Sequence, residues 1–455
     1  MSKNLFNDFE GTSSKAWKQK IQVDLKGADY NDTLIWQTND GIDVKPFYHS
    51  DQFDALPDVS NSNATNWKIC QFIEVNEVSE ANDNAKDAIE RGAESILFSL
   101  TSDSVSVNSL VDGIDLEKIH VILKCDFLSE AFVNNIDPVL IENITILNDI
   151  IGNLGKTGNW FRSLKDDHLE FEKIVKSKNQ FNVDLSLYQN AGANIIQQVA
   201  YTLAHVNEYL NHFSDKLSEN DKASIKIAFT TSIGSNYFFE IAKLRALRSL
   251  WSVLADTFGY NQSCRIIAIP SERNKTIYDY NVNMLRTTTE CMSAVIGGAN
   301  IICNLPYDHL YHDANEFGNR ISRNQLLILK KESYLDKVNN PADGSYYIES
   351  LTDQISNKAL KVFKDIEKNG GFLAQLKSGT IQRKIKESAA KEQQQFEEGK
   401  LVLLGTNKYP NPNDKMKNDL EKHPFIKKEV RKTLIEPIIK KRLSEQLEMN
   451  RLKEE

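Results

Sequence analysis

The chain has 455 residues, of which 40 % are apolar and 26 % charged, and its formal net charge is −8 at pH 7. That length allows a large core and more than one structural unit. The acidic balance argues against nucleic acid as a main partner, since phosphate binding needs a basic surface. No run approaches the ~18 apolar residues of a membrane span, and "MSKNLFNDFEGTSSKAWKQK" has no apolar signal-peptide core. The cysteines Cys70, Cys125, Cys264, Cys291 and Cys303 are odd in number, far apart and free of CxxC pairs. They read as buried reduced thiols, which fits a cytoplasmic protein.

In chain order, residues 1–66 read as an N-terminal arm and linker. Thr12 to Ser14 can cap a helix that carries Trp17, Ile21 and Leu25 on one face and stops at Gly27. "LIWQTNDGIDVKPFY" gives two short apolar runs around Asn39-Asp40-Gly41, a hairpin signal. The polar stretch 49–66, broken by Pro57, reads as a linker.

From Trp67 short apolar runs alternate with helical patterns. The runs are 67–74, 95–100, 119–125, 181–187, 225–231, 264–270, 299–305 and 401–404. The helices between them include 79–91, 192–213 and 234–258. Eight such units over 67–405 predict an α/β fold, a (β/α)8 barrel. A doubly wound sheet is the runner-up, but the chain has neither GxGxxG nor GxxxxGK[ST]. Segment 139–180, with "NITILNDIIGNL", breaks the spacing and reads as an elaborated loop. Residues 406–455 read as a charged tail, helical and interrupted at Pro437, of the kind that packs on a partner or frays.

Few side chains spell chemistry. "DHLYHD" offers Asp308, His309, His312 and Asp313 as metal ligands beyond a strand, without a third distant ligand; a solvated loop is the plainer reading. "DDHLEF", 166–171, begins like a corrinoid-binding Asp-x-His-x-x-Gly signature, but Phe171 stands at the glycine and the pattern is helical. His205 and His212 read as helix-surface residues, as do the acids Glu332 and Asp336. "NPADGSYYIESLT" predicts a tight turn leading into a helix. "NMLRTTTECMSAVIGGAN" predicts a helix with a small-residue end. "FEIAKLRALRSLW" places Lys243, Arg245 and Arg248 on an otherwise apolar helix. None of these supplies a nucleophile, base and oxyanion set by itself.

These last stretches, with "RISRNQLLILKKESYLDKVNNPADGSYYIESLT" and the hairpin, resemble the methylmalonyl-CoA mutase family in order and over nearly the whole chain. "LLGTNKYPNPNDK" and the basic tail look like the small-subunit branch of the two-chain bacterial enzymes. The resemblance implies a (β/α)8 barrel that threads coenzyme A along its axis. It also implies a flavodoxin-like domain for adenosylcobalamin, which this sequence does not contain, and interconversion of methylmalonyl-CoA and succinyl-CoA. The cofactor supplies the radical; the protein supplies binding, shielding and electrostatics.

The family's catalytic chains carry a histidine four residues before the first alanine of an Ala-Gly-Ala turn. Counting back from Ala191 reaches Leu187, which neither donates nor titrates. The family's Trp-Thr-Ile-Arg-Gln-Tyr on the first strand is here Trp67-Lys68-Ile69-Cys70-Gln71-Phe72, so Cys70 replaces the arginine and Phe72 the tyrosine. The polar linker replaces the family's coenzyme A-gripping segment. The resemblance therefore implies no catalytic, cofactor-binding or metal residue on this chain, with Leu187, Phe72 and Cys70 as degenerate positions. It implies a structural or regulatory subunit pairing with a homologous large catalytic subunit that binds adenosylcobalamin and acyl-CoA, and a barrel axis blocked by apolar side chains. The alternatives are the substrate-binding half of a split acyl-CoA mutase that borrows a separate cobalamin-binding protein, and an unrelated metal-dependent barrel enzyme using 308–313.

Overall fold

A computed structural model describes residues 11–55, 64–426 and 431–455. Pro57 of the expected linker and the stretch 427–430 of the tail lie outside these residues. The helix Ser14–Asp24 is capped by Ser13, whose Oγ accepts from Ala16 N at 3.2 Å, and it buries none of its own residues. The hairpin follows as β1 (Trp36–Gln37) and β2 (Asp43–Val44), antiparallel with Trp36 opposite Val44. Gly41 takes φ +66° in its turn, a conformation that costs glycine nothing.

Eight strands then form one all-parallel sheet. They are β3 (Lys68–Glu74), β4 (Ser95–Leu100), β5 (His120–Cys125), β6 (Ile144–Leu147), β7 (Gln180–Asp184), β8 (Lys226–Ile233), β9 (Arg265–Pro270) and β10 (Ile301–Cys303). The ladder runs β6-β5-β4-β3-β10-β9-β8-β7, the order of a (β/α)8 barrel. Side chains complete the ring where the ladder ends. Gln180 Nε2 donates to Ile144 O at 3.2 Å, and Asp184 N donates to Asp149 Oδ2 at 2.8 Å.

One expected strand is absent and one unexpected strand takes its place in the count. Residues 401–404 form no barrel strand; only an isolated bridge joins Leu404 to Lys408. The eighth strand is β6, inside the segment expected to be a loop. Strand and helix there follow each other through Asn148-Asp149 alone, so their apolar residues merge into one run. Asp149 caps the helix Ile150–Thr157 by accepting from Gly152 N.

The two faces of the sheet pack separately, as period-two side chains require. Ile69, Ile73, Ile96, Phe98, Val121 and Leu123 belong to the large core between strands and outer helices. Cys70, Leu97, Ile122, Leu147, Ile267, Ile301 and Cys303 form a second cluster inside the barrel, with Phe72 and Ile269 against it. Six strands contribute to this interior cluster; β7 and β8 do not.

The tail also departs from expectation. Among its described residues only Glu445–Glu454 is helical, and residues 434–443 cross the barrel's C-terminal rim. Leu434 N and Ile435 N donate to Gly158 O, Ile438 N to Gly155 O, Lys441 N to Asn190 O and Leu443 N to Arg273 O. These acceptors follow β6, β7 and β9. Gly158, at φ +79°, permits the approach, because a Cβ there would lie 2.7 Å from Ile435 O. Ile435, Ile438 and Leu443 are buried by this docking. The tail thus packs on its own barrel. Among the described residues no helix is long and apolar enough to cross a membrane.

Candidate functional site

The C-terminal rim is where a (β/α)8 barrel carries its chemistry, and Leu187 lies there. The run expected as a strand through 187 ends at Asp184; Leu187 sits on the short helix Ser186–Asn190. A Cβ placed on Gly155 would meet Leu187 Cδ2 at 3.5 Å and Ile438 Cδ1 at 3.7 Å, so Leu187 neighbours the tail. Cys70 and Phe72 lie instead in the interior cluster. The structure therefore brings two of the three positions together and places the third under the tail. The Cys303 thiol is pushed well up by its hydrogen bond with Cys70 and by burial, so Cys303 contributes no thiolate nucleophile at neutral pH.

The barrel interior is polar on one side. In the register, Asn182 and Thr230 share the inward face with Ile267. Both are buried, and Asn182 Oδ1 and Thr230 Oγ1 have no hydrogen-bond partner among the described residues. At the N-terminal end of the axis, Arg265 Nη1 donates to His120 Nε2 and to Thr145 Oγ1, each at 2.8 Å. Burial and the neighbouring guanidinium push the His120 imidazole down to about 3, so it is neutral and accepts.

Around the rim, cations enter the protein only with partners. Lys243 is fully buried; its Nζ donates to Gln189 Oε1 at 2.9 Å, Gln198 Oε1 at 3.1 Å and Ser232 O at 2.7 Å, and lies 2.5 Å from Glu240 Oε2. Lys275 Nζ reaches both oxygens of Glu290, at 2.9 and 2.8 Å. Desolvation lowers both ammonium pKa values and the facing carboxylates oppose it. Arg245 pairs with Glu349 at 2.6 Å and with Asp343 of the tight turn. Arg248 donates to Cys264 O, Gly298 O and Asn300 Oδ1. The sequence singled out Lys243, Arg245 and Arg248 but not the acids that hold two of them.

Other candidates resolve differently. His205 is not a surface residue. It is fully buried, with Nε2 at 2.9 Å from Asp149 Oδ1 and Nδ1 at 2.9 Å from Tyr188 OH. Its helix, Ile195–Phe213, is buried on nearly every side, so periodicity could not single out an outer face. His212 is half-buried against His168, ring centroids 4.9 Å apart. Glu332 ends a π-helical turn, and Asp336 lies beyond it beside Lys337, so they share no helix face. The 308–313 loop ties to itself and to the tail: His309 Nδ1 contacts Pro306 O, and His312 bridges Asp308 Oδ2 at 3.2 Å and Asp419 O at 2.9 Å. Among the described residues no group of three or more His, Cys, Asp or Glu could hold a metal ion.

A family model described as methylmalonyl-CoA mutase matches residues 103–453. This chain belongs to the methylmalonyl-CoA mutase family. It is similar to the methylmalonyl-CoA mutase small subunit of Porphyromonas gingivalis, 34 % identical over 440 residues that cover 90 % of this chain and 71 % of that one. The small subunit from Streptomyces virginiae is 30 % identical over 447 residues, covering 90 % and 72 %. The methylmalonyl-CoA mutase of Cereibacter sphaeroides is 30 % identical over 457 residues, covering 87 % of this chain but 64 % of its own. Within this mutase family the present chain combines an eight-stranded parallel barrel, an apolar interior cluster and a tail over the rim.

Proposed function

We propose that this chain is the non-catalytic small subunit of a two-chain methylmalonyl-CoA mutase, paired with a homologous large subunit that carries the acyl-CoA and the adenosylcobalamin. The observation that carries the reading is the interior cluster, in which Cys70 and Phe72 pack with Leu97, Ile122 and Ile267. An acyl-CoA chain on the axis would have to displace these side chains. Losing one positioned donor costs on the order of 10²–10³ in rate, and here leucine, phenylalanine and cysteine stand at three matched positions. Adenosylcobalamin, as the resemblance implies it, does not fit this chain's residues: the rim it would face carries Ile438 beside Leu187. We read residues 1–66 as an arm toward the partner, 67–405 as the barrel and 406–455 as a rim cover, in a cytoplasmic protein whose five cysteines are free and buried. The arm helix supports this, because it buries none of its residues and leaves Trp17 half-exposed.

The test is mutase activity with methylmalonyl-CoA and adenosylcobalamin, for the purified chain alone and after mixing with its large homologue. The expected result is silence alone, and a 1:1 complex with activity after mixing. Turnover by this chain with only a separate cobalamin-binding protein would overturn the reading in favour of a split mutase.

A further inference from the structure

Beside the filled axis the rim holds a cavity of about 410 Å³, bounded by the hairpin, by the segments after β7, β8 and β9, and by the helix Thr380–Glu397. That volume suits a small-molecule site. Its charged walls are Asp40, Glu240, Glu392 and Arg273, with Lys243 directly behind Glu240. Lys400 also borders it but is paired with Glu398 at 2.6 Å.

Three carboxylates thus stand against two committed cations, leaving one negative charge in excess. Arg273 donates to Glu392 Oε2 at 2.6 Å and to Lys441 O at 2.7 Å. Gly192, at φ +97°, leaves room for that guanidinium, since a Cβ there would lie 2.9 Å from its Cζ. Asp40 spends one oxygen on Ile195 N at 2.7 Å; the other has no hydrogen-bond partner among the described residues. Glu240 is 2 % exposed; its Oε1 accepts from Gln189 Nε2 and Gly234 N, and its Oε2 lies 2.5 Å from Lys243 Nζ. Burial and the fields of Glu240 and Glu392 push the Asp40 carboxyl up to about 6, the behaviour of a carboxylate short of a counter-charge. Leu401, Leu403 and Leu443 give the cavity apolar lining, and Trp36, 52 % exposed, lines it too.

We propose that this rim cavity binds a small organic monocation, an alkyl- or arylalkylammonium, with its charge at Asp40 and its apolar part against the leucines and Trp36. A metal ion fits worse, because the carboxylates come from the hairpin and two different helices and no three described residues could hold one. An ammonium instead needs one dominant carboxylate and an indole face.

The experiment is isothermal titration calorimetry of the full chain with benzylammonium, benzyl alcohol and benzoate as probes. Benzylammonium is expected to bind with Kd below about 1 mM, at least about tenfold tighter than either other probe. Asp40→Asn keeps an oxygen for Ile195 N and is expected to weaken benzylammonium by about tenfold or more; Glu392→Gln, on the helix Thr380–Glu397, by a few-fold. Thermal melts confirm that both variants are folded. Absence of heat with benzylammonium up to about 10 mM, equal binding of benzyl alcohol, or unchanged affinity in Asp40→Asn would each overturn the site.

Discussion

Inside the barrel, Leu97, Ile122, Ile267 and Ile301 meet as a dry cluster that excludes charge. At the rim of the same strands, Lys243, Lys275 and Arg273 are buried with carboxylates and carbonyls around them. Inside the barrel one side is lined by apolar side chains, and the paired lysines and arginines stand off it at the rim. The difference teaches that one barrel can hold an apolar interior cluster and a charged, paired network at its rim side by side. The two regions also fail differently. The rim depends on pairs, so removing one partner strands the other; the axis depends on volume, so removing atoms leaves a hole.

The sharpest break in this comparison is Glu290→Ala. It leaves the Lys275 ammonium buried without its carboxylate and is expected to cost about 3–5 kcal/mol, read by urea unfolding; a loss under about 1 kcal/mol would show that Lys275 re-pairs or deprotonates cheaply. Leu97→Ala, fully buried in the interior cluster, is expected to cost about 2–4 kcal/mol through lost burial and a cavity. A near-neutral result would mean that the axis is loosely packed and open to a ligand.

His120 sharpens the contrast through pH. Its folded pKa is depressed to about 3 by burial and Arg265, while the unfolded side chain titrates near 6.5. Below about pH 6.5 the unfolded state binds the extra proton, so stability falls as pH falls toward 3. His120→Gln is expected to flatten that fall by about 2 kcal/mol between pH 6.5 and 4, after discounting for partial solvent access. Acid unfolding that keeps its slope in the variant would sink this account. The smallest expected effect is none: Leu187→His, assayed with a cobalamin-binding protein but without the large subunit, is expected to gain no mutase activity, because Cys70 and Phe72 stay in the interior cluster. Activity there would show that the axis admits substrate.

Seven of the eight strands were legible because each is a short apolar run set off by a helix. The eighth was not, since Ile144–Leu147 passes into Ile150–Thr157 through two residues and leaves no periodic break. Leu401 to Leu404 carries the same apolar signal without a neighbour to pair with. His205 was misread for a tertiary reason: a helix covered on nearly every side has no surface for a pattern to reveal. Leu187, Phe72 and Cys70 were visible as residue types, but only packing separated Cys70 and Phe72 from Leu187. The rim cavity left no motif at all. Asp40 reads as a turn residue, and Glu392 stands in no motif, until the fold brings both to the lining of one cavity. The tail's character was legible as charged and proline-broken, but its docking partner was not, because hydrogen bonds to Gly155, Gly158 and Arg273 carry no sequence signature.

That docking has a kinetic consequence. Asn159 holds Lys432 O across 273 positions of sequence, and Arg273 holds Lys441 O across 168. Such long loops close only after both of their anchors exist, and chain entropy makes them late events. During synthesis the strands and helices leave the ribosome first, with the rim still bare and its apolar edges exposed to chaperones or to neighbouring chains. The closing segment arrives afterwards, as the last turn of a lock whose tumblers are already set.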